Sequence, residues 1–257
     1  MVGEECMKRV VVWPDTHFPL HDKKAFSCAL KALEKLKPDT FIQLGDIGEW
    51  EAASFWRYKK VKRPPLEYQL AELDIEIGQI NKCLDRLDAS LDKAGVTRKV
   101  ITQGNHELWL DGLVQENPYL KGYTFKEAIK AKERGYEIIP AGKYFKLGKL
   151  SMYHGHHFNG VMHTRNHLLR LGTNIMYGHH HDVQQYTLTQ LGKTVNAWSI
   201  GCLKDMRSEK NEWLGGRPTN WQHAFAIVDL DKSGNFLVTT VNIMNGKAMV
   251  DGELIKG

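Results

Sequence analysis

Aspartate, asparagine and histidine residues recur at the ends of five apolar stretches in this 257-residue chain. The stretches are VVVWPDTH (10–17), FIQLGD (41–46), VITQGNHE (100–107), LSMYHG (150–155) and NIMYGHHH (174–181). The candidate metal ligands in them are Asp15, His17, Asp46, Asn105, His154, His179 and His181. Carboxylate, imidazole and amide groups together suit divalent cations such as manganese, iron or zinc. Seven ligands exceed what one ion needs, so the set predicts two metals.

The apolar part of each stretch predicts a buried β-strand, so several strands would deliver their ligands to one edge of a sheet. Residues 22–37 predict a helix with Asp22 as its N-cap, and residues 40–44 predict the next strand. This order favours an α/β layered fold with a partly parallel sheet. Short strands are predicted later, at 136–140, 143–147, 149–154, 174–178, 184–190, 193–200, 224–230 and 235–243.

The blocks D-x-H, GD, GNHE, HG and GHxH, in this order across residues 15–181, resemble the calcineurin-like metallophosphoesterases. The resemblance implies a four-layer α/β/β/α sandwich of two mixed sheets with flanking helices. It divides the ligands into two sets that share Asp46. The first set adds Asp15, His17 and His181, and the second adds Asn105, His154 and His179. His106 would be the catalytic histidine that stabilises or protonates the leaving oxygen.

Two positions in the histidine-rich blocks are open to alternatives. His154 is favoured as a ligand because it ends its strand directly before Gly155, but His156 follows two residues later. In the GHHH block, the GHxH pattern leaves the middle residue, His180, as the variable position.

Three further residues near these blocks need an interpretation. His163 and His167 are four residues apart on a predicted helix, which favours a solvated face over an extra metal pair. Glu107 is expected to hydrogen-bond to the adjacent histidine or to shape its loop, without a catalytic role.

Two metals would clamp the phosphoryl oxygens and lower the pKa of a bound water, so that hydroxide is available to attack a phosphate ester. Manganese is the favoured metal, and iron, zinc, nickel and cobalt are alternatives. The predicted activity is therefore the metal-dependent hydrolysis of a phosphoric ester.

The GD block continues as GDIGEW, whereas protein serine/threonine phosphatases of the resembled family have GDxxDRG with a phosphate-gripping arginine. Gly48, Glu49 and Trp50 stand there instead, which disfavours a protein phosphatase. Aromatic and basic residues alternate nearby, as in surfaces that stack bases and follow a phosphate backbone. They are Trp50, Phe55, Trp56, Arg57, Tyr58, Lys59, Lys60, Lys62, Arg63, Trp109, Lys204, Arg207, Lys210, Trp213, Arg217 and Trp221.

This pattern favours a phosphodiesterase, with a nuclease as the leading subtype and a single-stranded nucleic acid or a nucleotide as substrate. Trp50, Arg57 and Trp109 are the predicted substrate contacts. The alternative interpretation is a rim of solvated charge over buried tryptophans. A phosphomonoesterase acting on a nucleotide or a phosphoprotein is the competing activity. A non-catalytic scaffold would tolerate ligand loss, and the intact ligand set disfavours it.

The composition of the chain indicates its partners and its cellular location. The net charge of +5 is compatible with a polyanionic partner. No apolar run approaches the ~20 residues that span a bilayer, so no membrane association is expected. The cysteines, Cys6, Cys28, Cys83 and Cys202, are widely spaced, which predicts free thiols and a cytoplasmic protein.

We expect one domain, 1–257, with a long helix at 66–93 and a loop insertion at 204–222 as accessory elements. A shorter helix is expected at 124–134. The long helix has apolar residues alternating four and three apart: Leu66, Leu70, Leu73, Ile77, Ile80, Leu84, Leu87 and Leu91. This seam predicts packing against the helix's own domain or, alternatively, a partner helix in a homodimer.

Overall fold

A computed structural model describes residues 7–59, 61–207, 209 and 211–257. Its helices are α1 (Lys23–Leu36), α2 (Leu66–Ala94), α3 (Asn105–Glu116), α4 (Phe125–Ala128) and α5 (His163–Leu171). Its strands are β1 (Lys8–Trp13), β2 (Thr40–Gln43), β3 (Arg98–Thr102), β4 (Tyr136–Ile139), β5 (Phe145–Leu147), β6 (Leu150–Met152), β7 (Ile175–Tyr177), β8 (Val183–Gln190), β9 (Lys193–Ile200), β10 (Ala224–Leu230), β11 (Phe236–Asn242), β12 (Lys247–Val250) and β13 (Glu253–Lys256).

Two mixed sheets form the centre of the protein. The first has the order β11-β10-β1-β2-β3-β4, in which β1 to β4 are parallel, β10 pairs antiparallel with β1, and β11 pairs antiparallel with β10. The second has the order β5-β6-β7-β9-β8, with β6, β7 and β9 parallel. Strands β12 and β13 form a separate hairpin. The parallel strands of each sheet end at a common edge, where their following loops meet.

The side chains of β1 show how the layers are built, because successive residues point to opposite faces of a sheet. Val10 and Val12 pack in the core that joins the two sheets. Val11 and Trp13 pack on the opposite face, in the core shared with α1 and α2. On the outer face of the second sheet, Leu168 of α5 packs against the strands. The predicted four-layer α/β/β/α sandwich is therefore confirmed.

Helix α2 extends one residue beyond the predicted long helix. Its apolar seam is buried in the core between the first sheet and the helices, with Leu73, Ile80, Leu84 and Leu87 fully buried. The seam therefore packs against the helix's own chain, which favours the first of its two interpretations. A homodimer through α2 stays a prediction.

The shorter helix expected at 124–134 is reduced to α4, and turns follow it. Lys130 has a left-handed backbone (φ 54°), which cannot continue a helix and accounts for the early end. The predicted strands lie within two residues of the observed ones.

Within the described residues, no helix is both long enough and apolar enough to cross a bilayer. Cys28, Cys83 and Cys202 are free thiols. Cys6, Lys60 and Lys210 lie outside the described residues.

Candidate metal centre

The loops that carry the predicted ligands meet where the two sheets adjoin. Asp15 and His17 follow β1, Asp46 follows β2, and Asn105 begins α3 after β3. The remaining three histidines follow β6 and β7 of the second sheet. The expectation that all ligands lie at the edge of one sheet is therefore wrong, because two sheets contribute them.

The first group contains Asp15, His17 and His181, whose ligand atoms all lie within 4.8 Å of one another. The Nε2 atoms of the two histidines are 3.0 Å apart. Nε2 of His181 is also 3.1 Å from Oδ2 of Asp15. The side chains of all three are buried. Their ligand atoms are therefore close enough to bind one ion.

The second group contains Asp46, His154 and His179, again within 4.8 Å of one another. Nε2 of His154 is 2.9 Å from Oδ1 of Asn105, 3.1 Å from Nδ1 of His179 and 3.2 Å from Oδ2 of Asp46. The ring of His156 is 5.6 Å from that of His154. His156 belongs to neither group, so the geometry selects His154 between the two candidates.

Asp46 lies between the two groups. Its Oδ2 is 3.2 Å from Nε2 of His154 and 3.9 Å from Nε2 of His17, one residue from each group. Its Oδ1 accepts a hydrogen bond from the backbone N–H of His106 at 3.0 Å. One oxygen is thus fixed by the backbone, and the other is positioned to bridge two cations.

The protonation pattern of this centre fits cations. Nδ1 of His154 donates to the carbonyl oxygen of Leu44 at 2.8 Å, so Nε2 is the nitrogen that this ring would offer to a cation. Nδ1 of His17 lies 2.9 Å from Oε2 of Glu49, and its Nε2 likewise faces the centre. Burial by itself lowers the pKa of both histidines, but the neighbouring carboxylates raise it to about 10 for His154 and to about 9 for His17, so positive charge is stabilised where these groups converge. Such outer-shell contacts orient metal-binding histidines in proteins.

Electrostatics support the same conclusion. Burial by itself raises the pKa of Asp46, but the adjacent His106 and His154 hold it well below its ordinary value. The pKa of Asp15 is likewise lowered by His154, His17 and His181 against the effect of burial. Both carboxylates are therefore ionised and ready to bind cations.

Two glycines of the blocks allow the aspartates to approach. A Cβ on Gly104 would overlap Oδ1 of Asp46, and a Cβ on Gly178 would overlap Oδ1 of Asp15. Four ligands adopt left-handed backbone conformations with φ between 47° and 63°: His17, Asp46, His179 and His181. Such conformations are costly for non-glycine residues and concentrate at functional sites.

Glu49 and Lys204 belong to this centre, although the sequence did not assign them to it. Nζ of Lys204 is 2.9 Å from Oε1 and 2.8 Å from Oε2 of Glu49, which in turn contacts His17. Lys204 is only 2% exposed, so it lies neither on a surface that follows a phosphate backbone nor on the solvated rim of the alternative interpretation. Burial raises the pKa of Glu49, but His17 and Lys204 lower it overall. The sequence signal that could have indicated Glu49 is the departure of GDIGEW from the GDxxDRG pattern.

His106 lies beside both groups. Its Nδ1 is 2.7 Å from the carbonyl oxygen of Glu49, and its Nε2 is 3.7 Å from Oδ2 of Asp46. The half-buried ring of Trp109 packs on it, with ring centres 3.9 Å apart. Burial lowers the pKa of His106 to about 4, although the carboxylate of Asp46 opposes that shift. Trp109 therefore supports the ring of His106.

Of the other predicted substrate contacts, Trp50 needs correction. Trp50 is fully buried, packs against Phe125 and donates from Nε1 to Glu107, so its ring is not available to a substrate. The guanidinium of Arg57 is engaged by Glu72 of α2, with Nη1 and Oε2 2.7 Å apart. Trp50 therefore serves the packing of the core, and a substrate contact by Arg57 stays a prediction.

Glu107 does shape the loop, as one of its two interpretations expected. Its carboxylate accepts hydrogen bonds from the backbone N–H groups of Asp46, Ile47 and Gly104, at 2.9, 2.9 and 2.7 Å. This buried carboxylate ties the loop after β2 to the start of α3 and thereby joins the bridging aspartate to the Asn105–His106 pair.

The histidine pair of α5, His163 and His167, is buried, so the solvated face predicted for it is wrong. His163 lies 2.8 Å from the hydroxyl of Tyr177 and 3.0 Å from Oδ2 of Asp182. His167 contacts the hydroxyl of Tyr153 through Nε2 at 2.6 Å, and its Nδ1 donates to a backbone carbonyl. Helix α5 turns this polar pair inward because the second sheet offers tyrosine hydroxyls and a carboxylate there.

A sequence model described as calcineurin-like phosphoesterase matches residues 8–225. The chain is 26% identical to the Gene 54 protein of Mycobacterium phage L5, over 96% of this chain and 98% of that protein. It is 27% identical to the Gene 54 protein of Mycobacterium phage D29, with the same coverage. Vacuolar Protein Sorting 29 from Cryptosporidium parvum shares the fold, with a TM-score of 0.50, 12% identity and coverage of 98% and 97% of the two chains.

Proposed function

The chain belongs to the calcineurin-like phosphoesterase family, and on that premise we propose that it is a two-metal phosphodiesterase acting on nucleic acid or nucleotide diesters. Bound divalent ions, with manganese as the proposed metal, would clamp phosphoryl oxygens and supply a water of lowered pKa. The first would be held by Asp15, His17 and His181, and the second by Asn105, His154 and His179. Asp46 would be common to both. A cytoplasmic setting is proposed from the free thiols.

The choice of a diester rests on the cations near the centre. A phosphate monoester carries an extra negative charge, and phosphatases of the resembled branch meet it with an arginine directly after the position of Glu49. Trp50 occupies that place here, and it is buried. The nearby buried cation, Lys204, is neutralised by Glu49 through two contacts of 2.8 and 2.9 Å. A singly charged diester suits such a centre better than a dianionic monoester.

His106 is proposed to assist the leaving oxygen. The carbonyl of Glu49 can only accept a hydrogen bond, so Nδ1 of His106 carries the proton of that contact. The opposite nitrogen, Nε2, faces the centre, 3.7 Å from Oδ2 of Asp46. To assist as a general acid, the ring would act from its imidazolium form, which burial disfavours and the carboxylate of Asp46 favours, and would give its Nε2 proton to the oxygen that departs from phosphorus, leaving the neutral imidazole with its proton on Nδ1.

The test compares a diester with a monoester. The purified protein is incubated with manganese and either bis-p-nitrophenyl phosphate or p-nitrophenyl phosphate, and kcat/KM is measured for each. We expect faster turnover of the diester, and no turnover above background by the Asp46→Ala variant. Faster turnover of the monoester would favour a phosphomonoesterase. Bound metal without turnover of either compound would favour a scaffold of the same fold.

A further inference from the structure

A tryptophan of the insertion lies against the metal centre. The ring of Trp221 packs edge-on against that of His181, with ring centres 4.6 Å apart. The backbone fixes this contact, because Trp221 pairs with Asp182 in an isolated β-bridge. The N–H of Gln222 also donates to the carbonyl of His181 at 2.8 Å. Trp221 is thus tied to the loop that carries a metal ligand, while its side chain stays half-buried.

A second tryptophan continues outward from the first. The ring centre of Trp213 is 6.1 Å from that of Trp221, and the two ring planes are tilted by 43°. Trp213 is 65% exposed. Its loop is held by the side-chain amide of Asn211, which donates to the carbonyls of Asp205 and Arg207 at 2.8 and 2.9 Å. The exposed indole of Trp213 therefore lies two residues after an anchored side chain, that of Asn211.

Charge and space near this pair suit a nucleotide chain. The exposed Arg217 donates to the carbonyl of Leu214, and within the described residues it has no acidic partner. A cavity of about 720 Å³ opens beside Trp221, and its charged lining residues are Lys24, Arg207, Asp22 and Asp205. That volume lies in the ~300–1,000 Å³ range of pockets that bind small molecules.

We propose that Trp221 and Trp213 stack successive bases of a single-stranded nucleic acid whose scissile phosphate lies at the metal centre. The inference rests on the proposed function, since it names the substrate of that same centre. Aromatic faces bind bases of any sequence, and a cation beside them follows the phosphate backbone. A duplex would bind less well, because its bases are already stacked on one another.

Binding is measured first, without catalysis. A short fluorescent oligothymidylate is titrated into the metal-free protein in the presence of a chelator, and its anisotropy gives Kd. Loss of one stacked base weakens binding by about five-fold or more, so Trp213→Ala should raise Kd by at least that factor. Tyr119→Ala is the matched control, because Tyr119 is an exposed aromatic residue after α3, on the segment that begins at Pro118. It should leave Kd unchanged.

An abasic strand of the same length separates stacking from charge. The abasic strand should bind the wild-type protein more weakly than the oligothymidylate binds Trp213→Ala, because it loses the stacking on Trp221 as well, and the substitution should not weaken it further. A blunt duplex should bind at least five-fold more weakly than the single strand. Equal Kd values for wild type and Trp213→Ala, or equal binding of duplex and single strand, would overturn the proposal.

Turnover measurements then test whether base stacking on the two tryptophans, called the stacking platform below, serves the metal centre. With manganese added, kcat/KM for the oligonucleotide should fall at least five-fold more than kcat/KM for bis-p-nitrophenyl phosphate in Trp213→Ala, mainly through KM. Equal falls would overturn the platform and leave the phosphodiesterase intact. Absence of diester turnover by the wild-type protein would instead overturn the proposed function, and the binding titrations would still test the platform.

Discussion

The metal centre and the histidine pair of α5 are both built from buried histidines, but their ring nitrogens are satisfied differently. In the centre, Nε2 of His154 has three neighbours at 2.9–3.2 Å that are all able to accept. In the pair, His167 donates to a backbone carbonyl and accepts from a tyrosine hydroxyl, and His163 similarly lies between a hydroxyl and a carboxylate. The ring nitrogens of the centre converge on one another and on carboxylates, whereas each ring nitrogen of the pair has a complementary partner.

This difference separates a cation site from a polar core. A cluster of histidines is expected to hold a metal only when unpaired electron pairs converge, since buried polar groups otherwise need partners of their own. The two groups are close in sequence, because α5 lies between the strands that carry His154 and His179. Proximity in the chain does not distinguish them, but their partners do.

The largest expected effect comes from removing the bridging carboxylate. Asp46→Ala should lose both metals and all activity, because the bridging oxygen is common to both groups and the loss exceeds the ~10–100-fold caused by outer-shell changes. Metal content per chain and diester turnover are measured together. The matched control is Asp182→Asn, a buried aspartate that contacts His163 of the complete pair. If Asp182→Asn lost metal as fully as Asp46→Ala, the distinction between the two groups would be wrong.

A smaller effect is expected at the histidine that is not a ligand. His106→Ala should retain its metals and lower kcat by about 10²–10⁴-fold, the usual contribution of a general acid or base. Metal content and kcat are measured on the same sample. His156→Ala serves as control, because its ring is next to that of His154 but belongs to neither ligand group. Full activity in His106→Ala would rule out the catalytic role.

The ligands could be predicted because each follows directly from a local pattern. Asp15, Asp46 and Asn105 come at most three residues after an apolar strand, and parallel strands bring such tips to one place. The family resemblance then divided the ligands at these strand ends into two metal-binding sets. The long helix could also be predicted, because its apolar seam repeats over eight positions and such periodicity is a strong signal.

The partners across the fold could not be predicted. Lys204 and Glu49 are 155 positions apart, and only the tertiary structure shows that this lysine is buried against that carboxylate. The sequence predicts a substrate contact for Trp50 because of its residue type and its neighbours, yet in the structure Trp50 packs against Phe125 and donates to Glu107. The sequence predicts that His167 is exposed, and only the structure shows the hydroxyl of Tyr153 in contact with it. Residue type indicates what a side chain can do, and long-range packing decides what it meets.

Glu49 gives a test of how far the centre extends beyond its ligands. Glu49→Gln removes the charge that faces Nδ1 of His17 and leaves Lys204 without its ion-pair partner. Metal affinity of the first site should fall by ~10–100-fold, as for other outer-shell partners of ligating histidines. Manganese titration gives the affinity. Glu51→Gln, an exposed carboxylate two residues on, should not change it. Equal affinities in Glu49→Gln and wild type would contradict the outer-shell role.

The smallest effect concerns the complete pair and is read from stability. Burial lowers the pKa of His167 to about 4 from an ordinary 6.5. Between pH 4 and pH 6.5, this residue is therefore protonated in the unfolded chain and neutral in the folded protein. Folding stability therefore falls as the pH drops through this window. Between pH 7.5 and 6 the loss due to this residue is about 1 kcal/mol. His167→Gln removes it, so its unfolding free energy should fall less than that of wild type. Urea denaturation with a chelator present measures both proteins, and parallel pH profiles would show that His167 is not held neutral by its burial.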